Sequence, residues 1–334
     1  MNVPSMLARQ HLVLACVLAA AAVAALILGV RWLAPVPTEG AAGGMTGGMA
    51  EGATAMRGES YGGVEVQVPA SWGYGTTGWP PCLQKASDSP YVGRPVGGIP
   101  LIACKEKVAP LDKRKAYLWF DTYRATPGVR SHDGGWAEET RVVAGVTLTV
   151  FTDDAALRER MLDSARKVRE TDTYGCPVDH RITTGPDVRP DPGTGGLATV
   201  GQVESITVCR YALDRGQNVA PQPVLSASRL TGPATRKLVD AVRAAPEGGG
   251  PNEPQNCSAD WAFGEEVIVL LVHGEREQEV FVRYSGCDAH GIDDGATLRA
   301  LTADVVRPLL RGPHAPGGLQ GQVGLMVWPR TGTK

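Results

Sequence analysis

The stretch LVLACVLAAAAVAALILGV, Leu12 to Val30, carries no charge and no proline. At about 1.5 Å of rise per residue, a helix of this length spans the hydrocarbon core of a bilayer. Two fates compete for such a segment. A cleaved secretion signal has a shorter apolar region, with its small residues at a cleavage site that follows. Here the alanines sit in mid-run and LILGVRW comes after them. That order favours an uncleaved signal anchor over residues 12–32, with the bilayer as partner of residues 12–30. Cys16 is then a small hydrophobe inside the membrane segment.

Flanking charge says little about orientation, because Arg9 stands on one side and Arg31 on the other. The remaining cysteines say more. Cys82, Cys104, Cys176, Cys209, Cys257 and Cys287 all follow the apolar run. An even, widely spaced set suits an oxidising compartment. The expected topology is a short cytoplasmic N-terminus (residues 1–11), one crossing of the cell membrane, and an extracytoplasmic remainder. Net charge is −2, which supplies no basic field, so no nucleic-acid partner is expected.

Residues 33–60 are rich in Gly, Ala and Met, show no apolar period and read as a flexible linker. Order begins where Val64, Val66 and Val68 alternate with Glu65 and Gln67. Further short apolar runs are Ile99–Cys104 and Ala116–Tyr123. AEETRVV and VTLTVFT flank Ala144-Gly145, a two-residue hairpin signal. A helix follows, capped by Thr152 or Asp153, with Leu157, Met161, Ala165 and Val168 on one face. Residues 61–172 thus form a first α+β domain.

Residues 173–313 read as a second α+β domain with an internal duplication, 173–250 and 251–313. Each half has a cysteine, a loop, strand material, a second cysteine, then Leu-Thr and a helix stopped by proline. HGERE marks a hairpin turn in the second half. The Gly/Pro-rich end, 314–334, reads as a disordered tail. The fold class expected is α+β: two small antiparallel sheet-plus-helix domains outside the membrane.

An opening strand that runs into Val68-Pro69 and Trp72, and a last strand followed by Leu162–Arg166 (LDSAR), resemble the PsbP-like group over about residues 60–172. The resemblance implies a small α+β module that binds rather than catalyses, and it offers no catalytic residues to carry over. Anchor, cysteine pattern and Ala/Gly-rich composition are similar to those of uncharacterised actinobacterial membrane-anchored cell-envelope proteins.

The extracytoplasmic cysteines fall in sequential pairs, Cys82–Cys104, Cys176–Cys209 and Cys257–Cys287. Many connectivities are open to six cysteines; a duplication favours pairing within each unit. No C-x-x-C occurs to suggest a metal.

Chemistry-bearing motifs are few. Ser131-His132-Asp133 is contiguous, whereas triad members meet from distant positions. Ser164-Ala-Arg-Lys167 matches S-x-x-K and Arg330–Gly332 echoes K-T-G, but S-D-N is missing. Asp288, His290, Asp293 and Asp294 are weak metal candidates in a Gly-bearing loop. His273 lacks the second histidine of H-E-x-x-H, and Asn256-Cys-Ser258 is a formal sequon. Trp72, Trp79, Trp119 and Trp136 are candidates for an aromatic ligand surface, weighed against a place in the core. No cofactor is expected. The function expected is a non-catalytic binding, sensor or envelope-assembly protein whose partner is an envelope component or protein; a cell-envelope hydrolase is the alternative.

Exported through an oxidising compartment and denatured without reductant, the chain is expected to show no alkylatable thiol at the six positions after Cys16. Six labelled cysteines in a peptide map would refute the compartment assignment.

Overall fold

The computed structural model describes residues 55–77, 89–95, 102–103, 111, 114–121, 126–185, 187–193, 195–213, 223–256, 265–286, 288–316, 319 and 321–329. The apolar run 12–30, Trp79, Cys16, Cys82, Cys104, Cys257, Cys287 and Arg330–Gly332 lie outside them. Ala53–Lys334 make up one compact unit.

The alternating valines form β2 (Val64–Pro69), and Val64, Val66 and Val68 are fully buried. Its antiparallel partner β1 (Met56–Tyr61) is placed inside the segment expected to be linker. The physical reason is that β1 turns polar groups inward. Glu59 and Ser60 are buried but satisfied, Glu59 by arginines and Ser60 by Asp172. An apolar period cannot reveal such a strand.

Next comes a six-stranded sheet. In chain order its strands are β3 (Gly73–Thr77), β4 (Tyr91–Pro95), β5 (Tyr117–Asp121), β6 (Gly128–Ser131), β7 (Ala137–Val143) and β8 (Val146–Thr152). In space they run β3-β4-β5-β8-β7-β6. The β3–β4 and β4–β5 pairs are parallel, which corrects the antiparallel expectation. Parallel neighbours need long crossovers, and an apolar period carries no strand direction. The hairpin at Ala144-Gly145 forms as expected. Both residues have positive φ, 48° and 88°, the geometry whose twist matches paired strands. Non-glycine Ala144 also adopts it.

Helix α1 (Ala155–Asp163) starts one residue later than expected. Asp154 is the cap and accepts from the Leu157 N–H at 2.8 Å. Met161 and Leu162 pack with Leu118, Leu148 and the β2 valines in one core. The expected helical face overruns the helix: Ala165 and Val168 lie beyond it, on either side of β9 (Arg166–Lys167), which pairs with β2.

The second sheet takes β10 (Val203–Leu213), β11 (Ser226–Thr231), β12 (Glu265–Gly274), β13 (Gln278–Arg283), β14 (Gly291–Asp293) and β15 (Leu298–Arg299) in the order β11-β10-β12-β13-β14-β15. The β12–β13 turn falls at HGERE. β10 and β12 pair antiparallel at the centre, so the two supposed repeat units share one sheet. Each unit gives a hairpin and later a helix, α2 (Pro233–Ala244) or α3 (Ala303–Leu309). Cys209 lies within the first hairpin strand, whereas position 287 follows the second hairpin.

Both faces of this sheet are covered, which is why VIVLLV is continuous rather than alternating. Leu238, Val242, Val305 and Leu309 of the helices cover one face. On the other, Cys176, Ile182, Tyr211, Val267 and Phe281 pack together. There Cys176 is bonded to Cys209 across a separation of 33 residues. The tail is corrected too. Helix α4 (Gly321–Val327) buries Val323 and Val327 in the helix-side core, and the Met326 carbonyl accepts from Arg307 Nε at 2.8 Å. Two valines four apart form a helical face that a Gly/Pro-rich composition conceals.

A C176S/C209S double variant is expected to lose about 3 kcal/mol of unfolding free energy through the freed loop, read as a lower urea midpoint. An unchanged midpoint would show that the segment is held by packing alone.

Candidate functional site

Alternation along β4, β5 and β8 places Tyr91, Tyr117, Trp119 and Phe151 on one face, opposite the core that holds α1. Tyr117 and Trp119 stack at 4.0 Å between centroids, and Tyr117 and Phe151 at 5.1 Å. Two glycines make room for these flat rings. A Cβ on Gly75 would sit 2.5 Å from the Tyr91 ring, and one on Gly93 2.7 Å from the Trp119 ring. Trp119 Nε1 donates to the Tyr91 hydroxyl at 3.1 Å, and the Tyr117 hydroxyl donates to Glu138 at 3.1 Å. Burial, reinforced by Glu138, pushes the Tyr117 hydroxyl far above the ordinary tyrosine value, so it stays protonated.

At the end of this face a cleft of about 930 Å³ opens between the sheet and the start of α1. Its apolar lining includes Trp72, Leu111, Trp136 and Leu157; among the described residues, its charged lining is Arg114, Lys115, Asp133, Asp153 and Asp154. Trp136 leads into β7 from the turn at Asp133–Gly135 and stacks on Phe151 at 4.7 Å. The Arg114 guanidinium lies 5.6 Å from the Phe151 centroid. Asp154 is engaged as the helix cap, and Asp133 is exposed. The volume falls in the range of small-molecule sites, and the cleft is broadly open to solvent with charged groups along its lining. Among the described residues, no Ser, Cys or His lines the cleft.

Of the tryptophans singled out in the sequence, Trp72 and Trp136 line this cleft. Trp72 also belongs to the core and is only 6% exposed. Trp119 lies on the adjoining aromatic face, and Trp79 is outside the described residues. The charged lining is not visible in the sequence. Asp153 and Asp154 signal only a helix start, and nothing local ties them to an indole.

The metal candidates do not converge. Asp293 pairs with Arg189 at 2.7 and 2.8 Å. Burial pushes its carboxyl up, but hydrogen bonds from Arg189 and the Gly295 N–H outweigh this and hold it below the usual value. Asp294 accepts from the Leu197, Ala296 and Thr297 N–H groups. His290 meets the Pro251 and Gly286 carbonyls, and Asp288 is exposed. Among the described residues no group of three or more His, Cys, Asp or Glu could hold a metal ion.

The other motifs have structural duties. The Ser164 hydroxyl ties the end of α1 to β2, accepting from the Gln67 N–H at 2.9 Å, while Lys167 is exposed on β9. Ser131 is exposed at the end of β6, and His132 meets the Phe151 ring edge-on. His273 contacts Glu277 across the β12–β13 turn at 3.2 Å.

One serine–histidine pairing has no local signature in the sequence. His314 Nδ1 is 2.8 Å from the Ser226 hydroxyl, and Nε2 is 2.8 Å from the Ser228 hydroxyl. Ser226 is 0% and His314 3% exposed, so a substrate has no path to the hydroxyl. Burial, with Arg210 and Arg94 nearby, holds the imidazole well below the ordinary histidine value.

No family model, curated protein or solved structure matches the chain. Among the described residues no helix is long and apolar enough to cross a membrane.

His314 folds neutral, whereas the unfolded chain binds a proton at this residue below about pH 6.5. Its contribution to stability is therefore complete above that pH and is lost progressively as pH falls beneath it. Urea titrations between pH 7.5 and 5 are expected to show this decline. H314Q should be less stable at neutral pH by about 1–3 kcal/mol and should lack this component of the acid slope. Equal slopes for both proteins would exclude His314 as the titrating group.

Proposed function

We propose that this chain is a membrane-anchored, extracytoplasmic binding protein that takes its ligand into the Trp72–Trp136 cleft without transforming it. The cleft carries the reading. Two indoles, one of them braced by Phe151, stand beside charges of both signs in a space suited to a small molecule. The apolar run 12–30, the cysteine pattern and the PsbP-like resemblance support the compartment and the binding role. Residues 12–30 anchor the protein to the bilayer, and the rest faces the envelope, where it serves as a sensor or assembly factor.

Native mass spectrometry of the full chain, released from lipid nanodiscs, tests this. A co-purified small molecule at one per chain is expected. W136A and D133N should each reduce its occupancy at least about tenfold, the equivalent of about 1.4 kcal/mol. A bound molecule indifferent to both substitutions would place the ligand elsewhere. A chain that carries nothing, and takes up nothing from an envelope extract, would end the reading.

A further inference from the structure

Resting on that reading of the cleft, we infer that its ligand is an uncharged saccharide, bound with the carbon-bearing face of a sugar ring on the Trp136 indole. The charges narrow the choice first. Among the described residues, three carboxylates, Asp133, Asp153 and Asp154, share the lining with two cations, Arg114 and Lys115. An anionic ligand such as a phosphate would face the carboxylates; a metal ion or polyamine would face the cations. A wholly apolar ligand would take five charged side chains out of water with nothing in return. The remaining chemistry is neutral overall, offers many hydrogen-bond donors and acceptors, and has a flat apolar face. A pyranose ring has these properties. Its hydroxyls donate to carboxylates and accept from guanidinium and ammonium groups, the stronger charge-assisted kind of hydrogen bond.

The aromatic geometry fits the same ligand. Trp136 stacks on Phe151 with an interplanar angle of 25°. Phe151 thereby covers part of the indole, the ring also packs against the core on the α1 side, and its remaining exposed surface lines the cleft. Phe151 is itself stacked on Tyr117, and Tyr117 on Trp119. The platform is backed by the whole aromatic face of the sheet and does not have to be ordered when ligand arrives, which lowers the cost of binding. A volume of about 930 Å³ leaves room for more than one sugar ring.

Saturation-transfer NMR on the full chain in lipid nanodiscs, chosen so that no sugar-based detergent competes, tests the ligand class. The probes are neutral gluco- and chito-oligosaccharides, their phosphorylated counterparts, and zwitterionic dipeptides. Transfer to the ring C–H protons of a neutral oligosaccharide is expected, with W136A weakening binding at least about tenfold. Because W136A also removes a stacking partner of Phe151, D133N and K115E at exposed positions serve as second variants. Each should weaken the same saccharide several-fold while the unfolding midpoint stays put. Dipeptides or phosphorylated sugars that bind with this residue dependence, in the absence of neutral saccharides, would overturn the saccharide class and leave the cleft reading standing. Saccharide binding that ignores all three variants would overturn the assignment to Trp136. Silence from every probe, together with no co-purified molecule, would remove the cleft reading as well.

Discussion

Glu59 is the fixed point of the first half of the fold. Its carboxylate, 1% exposed, lies 2.5 Å from Arg94 and 2.6 Å from Arg57, and Arg94 is itself only 5% exposed. A charge so deeply buried survives only when paired and hydrogen-bonded. Arg94 completes its set with the Ser60 carbonyl and lies against the Phe120 ring. Glu59 belongs to the β1–β2 hairpin and Arg94 to β4 of the six-stranded sheet, so the pair joins two sheets at one point. β4 also carries Tyr91 on its opposite face and Gly93 beneath Trp119. The position of this strand therefore sets both the ion pair and the aromatic face that backs the cleft.

The seam between the two sheet regions is polar for the same reason. Ser60 donates to Asp172, whose other oxygen accepts from the Tyr174 and Cys176 N–H groups. Arg210 donates to the Ala315 carbonyl, and the Tyr284 hydroxyl donates to Glu266 at 2.7 Å. Burial pushes the Tyr284 hydroxyl well up, with Glu266 adding to the effect. His314 closes the seam against β11. Such groups specify one arrangement, because any slip leaves buried donors and acceptors unpaired.

What is legible in the sequence is what is decided locally. Val64, Val66 and Val68 announce a strand, Ala144-Gly145 a tight turn, and Leu-Thr ahead of an apolar spacing a helix. Pairing of neighbouring cysteines is one of many open connectivities, and it is the one Cys176–Cys209 adopts. What escapes depends on distant partners. β1 faces inward with Glu59 and Ser60, so only Arg94 and Asp172, far along the chain, explain its burial. The parallel pairing of β3, β4 and β5 leaves no mark in the strand residues themselves. Two valines of α4 are hidden by surrounding glycine. For the site, the indoles of Trp72 and Trp136 draw attention as aromatic side chains. The charges that complete the lining carry no local sign of where they point.

The register of the first hairpin bears on how the protein takes a load. Met56 pairs with Pro69 and Arg57 with Val68, at the open end of the hairpin, whereas Tyr61 and Val64 meet at its turn. Tension that enters through the residues before Met56 reaches the open end first. Antiparallel rungs loaded there break singly and in order, as in a zip, and do not share the force as they would in shear. The fourth rung is Glu59 with Val66, and there unzipping would have to pull a carboxylate away from the Arg94 guanidinium of the neighbouring sheet. The buried ion pair thus acts as a mechanical stop between the N-terminal side of the hairpin and the sheet that holds the cleft.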